Sequence, residues 1–308
     1  MRLETELFGA TFQNPVLLAA GTCGFGQELS DVVDLDALGG FVTKSVTREP
    51  RSGNPSPRVA EFSGGMLNSI GLANPGLEGT RREKLPWIRE HVHRARVFVS
   101  LAGHRPEDYP ALVEGLDAEE GFLGFEINLS CPNDRKRGGL AFALDPEAVA
   151  TIVSACRERT GRPLLAKLAP NDPSLEDTVR VATDAGADGL TLVNTLPGIL
   201  LRPGGVPELG AGPGGMSGPA LRPVGLLAVR RARGSTHIPL VGVGGVARAA
   251  DAVAYARAGA SLVEVGTASF ADPRTAERIV HGLQRRRASG VGRWADLVTP
   301  PPVAAMEV

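Results

Sequence analysis

Short apolar runs rich in β-branched residues recur along the chain, each followed by a stretch with helical patterning. The runs are NPVLLAAG (14–21), GGFVTKSV (39–46), VFVSLAG (97–103), GFEINLS (124–130), PLLAKLAP (163–170), GLTLVNT (189–195), PLVGVGGV (239–246) and SLVEVGTA (261–268). Each is apolar on both faces, as a parallel strand covered on both sides must be. Between them, DPEAVATIVSACRER (145–159) reads as a helix: Asp145 can cap it, Pro146 suits its first turn, and Ala148, Ile152, Val153 and Cys156 share a face. Segments 247–258 and 272–286 read similarly. Eight strand–helix units in 308 residues predict an α/β fold, a (β/α)8 TIM barrel, with an open doubly wound sheet as the alternative.

Two connections are too long for plain turns. Residues 47–80 are rich in Pro, Gly and Ser, and residues 196–218 in Gly and Pro. Both follow strands, which assigns them to the C-terminal face, where barrels build their active sites. One domain is expected over residues 1–296, with 297–308 a disordered tail.

Composition narrows the class. Hydrophobic residues make up 43% of the chain and aromatics 5%, which suits helices packed closely on a sheet. A net charge of −1 provides no field for nucleic acid or an anionic membrane. The N-terminus has no apolar signal core, and no window nears the ~18 apolar residues of a membrane span. Three widely spaced cysteines, Cys23, Cys131 and Cys156, fit a reducing compartment better than a disulfide framework. A soluble, cytoplasmic protein is expected.

Four groups of residues could carry chemistry. Gly244-Gly245 and Gly266-Thr267 end consecutive strands at the face where barrels commonly bind phosphate through backbone N–H groups; the plainer reading is a pair of tight turns. Lys44 and Lys167 interrupt apolar runs, so each must reach water or a partner. Asn128, Asn133 and Asn194 sit at or just past strand ends and Asn68 lies in the first long loop; singly such amides cap turns, and around one mouth they could recognise a planar heterocycle. Cys131 follows a strand in polar company, and Pro132 stops the ladder behind it. Without CxxC or histidine partners it is no metal ligand, and the five histidines show no ligand spacing. A thiol for acid–base or nucleophilic work remains, whereas Cys23 and Cys156 read as small buried hydrophobes.

Taken in order, TKSVT with GNPSPR, GGMLNSIGLANPG, NLSCPN, AKLAPN, LVNT, GGMSGPALRP, VGVGGV and EVGTA resemble the dihydroorotate dehydrogenase family across essentially the whole chain. GTCGFGQE and GGMLNSIGLANPGLE look most like class 1B, whose catalytic subunit passes electrons to NAD through a partner subunit carrying FAD and a 2Fe-2S cluster. The resemblance implies one FMN per chain, bound by Ala20, Gly21, Lys44, Ser45, Ser100, Asn128, Lys167, Val193, Gly218, Gly244, Gly245, Gly266 and Thr267. It implies substrate contacts from Lys44, Asn68, Ser69, Ile70, Gly71, Leu72, Asn128, Asn133, Asn194 and Thr195. Cys131 would take the C5 proton of dihydroorotate while a hydride passes from C6 to N5 of FMN, yielding orotate for pyrimidine biosynthesis.

Ser100 and Ala20 depart from the family's more frequent asparagine and serine, and DRKRGG after Asn133 is unusually basic, as a lid over the substrate would explain. A homodimer is implied, or a heterotetramer with the electron-transfer subunit. The competing readings are a class 1A-like homodimer reducing fumarate, a flavin barrel acting on tRNA uridine, and a binding barrel without activity.

Overall fold

The computed structural model describes residues 1–129, 141–286 and 292–298. Its strands are β1 (Thr5–Leu7), β2 (Ala10–Phe12), β3 (Val16–Leu18), β4 (Gly40–Val42), β5 (Val59–Phe62), β6 (Gly65–Asn68), β7 (Arg96–Leu101), β8 (Gly124–Asn128), β9 (Leu164–Leu168), β10 (Gly189–Leu192), β11 (Leu196–Gly198), β12 (Gly214–Ser217), β13 (Leu240–Val243) and β14 (Leu262–Val265). The helices are α1 (Gly76–Gly79), α2 (Leu85–His91), α3 (Asp108–Leu116), α4 (Pro146–Arg157), α5 (Leu175–Asp184), α6 (Arg222–Arg233), α7 (Ala249–Ala258), α8 (Ala268–Ala271) and α9 (Thr275–Arg285).

Eight strands, one from each predicted run, close into a parallel barrel in the order β10-β13-β14-β3-β4-β7-β8-β9. This is the (β/α)8 architecture, and the open sheet is excluded because β9 pairs with β10 to shut the ring. Outward-facing residues of the strands meet the helices in one continuous apolar layer. Helix α4 starts where expected: the Asp145 carboxylate accepts from the N–H groups of Glu147 (3.1 Å) and Ala148 (3.2 Å), and Pro146 follows it. Ile152, Val153 and Cys156 are fully buried on its inner face. Burial pushes the Cys156 thiol up to about 12 and raises that of Cys23 further, so both stay neutral and structural.

Two features lie beyond the sequence expectations. Strands β1 and β2 form a hairpin under the barrel. Phe8 packs edge-on against Phe98 at 5.8 Å between ring centroids, and Phe12 stacks on the same ring at 6.5 Å. With Leu17, Val42, Leu165, Val241 and Leu262 they fill the N-terminal end of the lumen.

The second feature is a four-stranded sheet made from the two long connections, in the order β11-β12-β6-β5. Phe62 pairs with Gly65 across the tight Ser63-Gly64 turn, where Gly64 has φ +105°, an angle that favours glycine. The packed chain runs on to Trp294, whose indole donates to the Ser261 carbonyl at 2.7 Å, and through Leu297. The rest of the expected tail lies outside the described residues.

Candidate functional site

In a parallel barrel, paired residues share a face, so the register identifies the lumen. Ser100 pairs with Glu126 and Glu126 with Leu165, while Lys167 pairs with both Asn128 and Thr191. Glu264 pairs with Val243 and Leu17. All of these side chains therefore point inward, Leu17 and Leu165 as part of the apolar plug and the polar ones above it. Lys167 is 5% exposed, and Glu126 and Glu264 are 0% exposed. The Lys167 ammonium donates to Glu126 Oε1 at 3.2 Å and to Glu264 Oε2 at 3.4 Å, bridging the lumen from β9 to β8 and β14.

Burial weakens the lysine's hold on its proton, but the two carboxylates outweigh it and the ammonium is favoured. Burial, reinforced by the Glu126 charge, pushes the Glu264 carboxyl up to about 8 against the opposing pull of Lys167. Neither glutamate was singled out from the sequence. The signal was present: a charged residue inside an apolar strand run, the same signal that marked the lysines.

Above this layer, hydroxyls and amides form a chain around the mouth. The Ser45 and Ser100 hydroxyls lie 2.8 Å apart, and Asn128 Nδ2 donates to Ser45 Oγ at 3.3 Å. Asn194 Nδ2 donates to Asn128 Oδ1 at 3.1 Å, and Asn194 Oδ1 accepts from the Thr195 N–H at 2.7 Å. The chain fixes which edge of each amide donates. Ser100 is 0% exposed, so its hydroxyl acts through Ser45. Lys44 stands half-buried at the end of β4, its backbone N–H bonded to the Gly24 carbonyl at 2.7 Å. Its ammonium reaches Gly21, where an added Cβ would lie 3.8 Å from Nζ. Ala20 follows β3 beside them, and Val193 is buried at the end of β10 with its N–H on the Val243 carbonyl at 3.2 Å.

The segment Asn68–Leu72 leaves the extra sheet toward the same mouth. Asn68 Nδ2 donates to the Gly215 carbonyl at 3.2 Å, tying the first long connection to the second. Asn54 Nδ2 donates to Ser69 Oγ at 2.8 Å, and its backbone N–H bonds Ile70 O at 3.0 Å. Leu72 has φ +57°, a region that non-glycine residues rarely occupy, and the Asn74 side chain holds it by donating to the Leu72 carbonyl at 2.7 Å. Asn54 and Asn74 were missed in the sequence. Both precede a proline, Asn54-Pro55 and Asn74-Pro75, and that position was the available clue.

At the same mouth, three glycine loops converge. Gly218, Gly244 and Gly245 have φ of +100°, +122° and +68°. A Cβ on Gly245 would fall 2.9 Å from the Gly218 carbonyl oxygen, and one on Gly218 would fall 2.8 Å from Gly65 Cα, so only glycine lets the loops meet. Tyr255 OH donates to the Gly244 carbonyl at 2.8 Å, and Thr267 Oγ1 donates to Ser217 Oγ at 2.8 Å beside Gly266. Among the described residues, the N–H groups of Gly244, Gly245 and Thr267 have no hydrogen-bond acceptor outside regular helix and strand ladders. Unpaired N–H groups on glycine loops that open helices form a cradle for an anion. Cys131 and Asn133, and the DRKRGG stretch expected to form a lid, lie outside the described residues.

A closed (β/α)8 barrel with a lysine-bearing polar lumen, an amide ring and a glycine cradle at one mouth has the architecture of a barrel enzyme. The family model described as dihydroorotate dehydrogenase matches residues 2–286. The catalytic subunit of dihydroorotate dehydrogenase B (NAD(+)) from Pelobacter propionicus is 43% identical over 96% of this chain and 97% of that protein. A protein from Solibacter usitatus, provisionally assigned as dihydroorotate dehydrogenase A (fumarate), is 44% identical over the same shares of the two chains. Among solved structures, the Eimeria tenella enzyme in complex with ferulenol superposes with a TM-score of 0.81 at 24% identity, covering 96% of this chain and 88% of that one. This last likeness supports the fold. The chain belongs to the dihydroorotate dehydrogenase family and is an oxidoreductase.

Proposed function

We propose that this protein oxidises (S)-dihydroorotate to orotate in pyrimidine biosynthesis, using one FMN held across the barrel mouth in a single domain spanning residues 1–296. The observation that carries the reading is the convergence of the Gly218, Gly244 and Gly245 loops at the mouth of the lumen that holds Lys167. The residues present fit FMN. The N–H groups of Gly244, Gly245 and Thr267 suit its phosphate, and Lys167 suits the electron-rich edge of its ring. When bound, FMN supplies the acceptor for the substrate's hydride.

This chain's own residues do the rest. Lys44 offers its ammonium to the substrate carboxylate. Asn128 and Asn194, locked in orientation by Ser45 and the Thr195 N–H, recognise the ring's polar edge together with Asn68, and the Ser69–Leu72 segment covers it. Cys131 takes the C5 proton from the face opposite the flavin. Ala20, Gly21, Ser45, Val193 and Gly266 complete the cofactor's surroundings, with Ser100 acting through Ser45.

The test begins with the colour. The purified protein should be yellow, release FMN on denaturation and bleach anaerobically on adding dihydroorotate. A colourless protein that cannot be reconstituted would sink the proposal. Gly245→Ala should purify largely colourless, because its Cβ enters the cradle in a left-handed backbone conformation. FMN content measured per chain decides this, and content equal to wild type would remove Gly245 from the phosphate site.

Electrons then pass, in this reading, to NAD through an iron–sulfur/FAD subunit bound to a homodimer of this chain. The relatives named as catalytic subunits support it. The Solibacter relative favours fumarate as a second reading. Acceptor assays on this chain alone separate them, since efficient fumarate turnover would overturn the NAD-linked assignment. No helix among the described residues is long and apolar enough to cross a membrane, which agrees with work in the cytoplasm.

A further inference from the structure

The proposed chemistry uses Lys167 but gives no task to the two glutamates that hold it. Both are sealed from solvent, and each leaves one oxygen without a hydrogen-bond partner: Glu126 Oε2 and Glu264 Oε1. A buried carboxylate that is not fully satisfied is expensive, and two of them around one ammonium would leave a net negative charge in a dry lumen. Both carboxyl groups meet the same ammonium, at 3.2 Å and 3.4 Å, so they share one small dry volume. Two buried carboxyl groups that share one ammonium do not both ionise readily, so one of them keeps its proton. A layer of one ammonium, one carboxylate and one carboxylic acid is electrically neutral.

Among the described residues, none of the ladder partners of Glu126, Lys167 and Glu264 is ionisable. The register puts Ser100 and Leu165 beside Glu126, Asn128 and Thr191 beside Lys167, and Val243 and Leu17 beside Glu264, and none of these six titrates. Cys23, in the loop after β3, feels the Glu264 charge but stays neutral through burial. Lys44 is half-buried just past β4, and its ammonium lies beside Gly21. Below the layer the lumen is apolar.

We propose that Glu264 is a positioning residue for the cofactor: held as a neutral acid against Glu126, it keeps Lys167 fixed at the flavin edge and the layer beneath the ring neutral. This rests on the FMN reading. The consequence is a proton count coupled to the cofactor's redox state. Once Glu264 has lost its proton at alkaline pH, the layer carries a negative charge, which disfavours the negative charge of the reduced ring. Reduction then draws one proton from water back onto the carboxyl pair, because the coupling between the two sites is reciprocal. The hydride brings both electrons and one hydrogen to the ring, and the pair takes up the one additional proton.

The test is the midpoint potential of the FMN-loaded protein from pH 6 to pH 10, for wild type and Glu264→Gln. Glutamine mimics the neutral acid and cannot ionise. In wild type, a window opening near pH 8 should show one extra proton per two electrons. That is a tenfold change in the reduction equilibrium per pH unit, ~30 mV for a two-electron couple. Glu264→Gln should match wild type at pH 7 and lack the window. Superimposable curves across the whole range overturn the proposal, as does a tenfold or greater offset between the two proteins at pH 7. A merely structural glutamate would move neither curve.

Infrared titration of wild type supplies an independent reading. A carboxylic-acid carbonyl band present at pH 7 and lost above pH 9 supports the proposal, and its absence at pH 7 refutes it. The band still decides the matter if Glu264→Gln fails to fold. Failure of the protein to take FMN would overturn the cofactor reading instead, and leave the band as the measure of Glu264.

Discussion

Replacing Cys131 with alanine should leave a yellow protein whose flavin is reduced by dihydroorotate at least a hundredfold more slowly than in wild type. A positioned base contributes about 10²–10⁴ to a proton-abstraction rate, and alanine has no group to take its place. An unperturbed thiol has a pKa of about 8.5, so only a small fraction is thiolate at neutral pH. The wild-type rate should therefore climb with pH until the thiol is ionised and then level off, while the variant's residual rate lacks that climb. Anaerobic stopped-flow measurement of flavin bleaching reads both quantities, and FMN content reads whether the site survives. Reduction within threefold of wild type would remove Cys131 from its role. Preceding it, β8 is anchored by its pairing with β7 and β9, and Leu129 is fully buried. Loss of one side chain beyond that strand has no reason to disturb the barrel.

Lys167→Met should cost more in stability than any other single substitution discussed here. The lysine is the cation between two fully buried carboxyl groups, at 3.2 Å and 3.4 Å. Removing one member of a buried ion pair typically costs about 3–5 kcal/mol, because the remaining charge has no partner and no water. The pH dependence follows from the raised Glu264 carboxyl. A carboxyl raised in the folded state contributes stability that is fully present below its unfolded pKa and is lost as pH rises through the folded value, here about 8. Without Lys167, proton binding by Glu264 is further favoured, because the ammonium is what pulls its carboxyl down. The deficit of Lys167→Met should thus be largest above pH 8 and smaller toward pH 5. Urea unfolding at both ends of that range measures it, and adding Glu126→Gln and Glu264→Gln should restore much of the loss. Equal stability of Lys167→Met and wild type at pH 8.5 would show that the ion pairs contribute nothing. FMN content should fall in the single variant as well, since the flavin edge loses its cation.

How much of this was legible in the sequence depends on which physical signal each part carries. The eight barrel strands were readable because burial on both faces demands unbroken apolar runs, and all eight runs hold a strand of the ring. The N-cap of α4 was readable because Asp-Pro is a local signal that needs no tertiary context. The extra sheet was not readable. Leu196-Pro197-Gly198 and Gly214-Gly215-Met216-Ser217 are made of residues that weaken strands, and they pair only because β6 lies between the hairpin partner β5 and β12. The lysines drew notice as charges in apolar runs. The same reasoning applied to EINLS and LVEVG would have marked Glu126 and Glu264, and only their meeting across the lumen with Lys167 makes their purpose visible. Asn54 and Asn74 hold a loop in shape, a task that leaves no periodicity behind.

The aromatic stopper of Phe8, Phe12 and Phe98 makes the barrel a vessel with one opening. The apolar plug of Leu17, Val42, Leu165, Val241 and Leu262 offers a proton no polar partner on the way to Glu126, Lys167 and Glu264, so among the described residues the polar route to the layer runs through the mouth. Whatever lies across the mouth then sets the rate of isotope exchange below it. The lumen has a kinetics of its own, set by traffic at its one door.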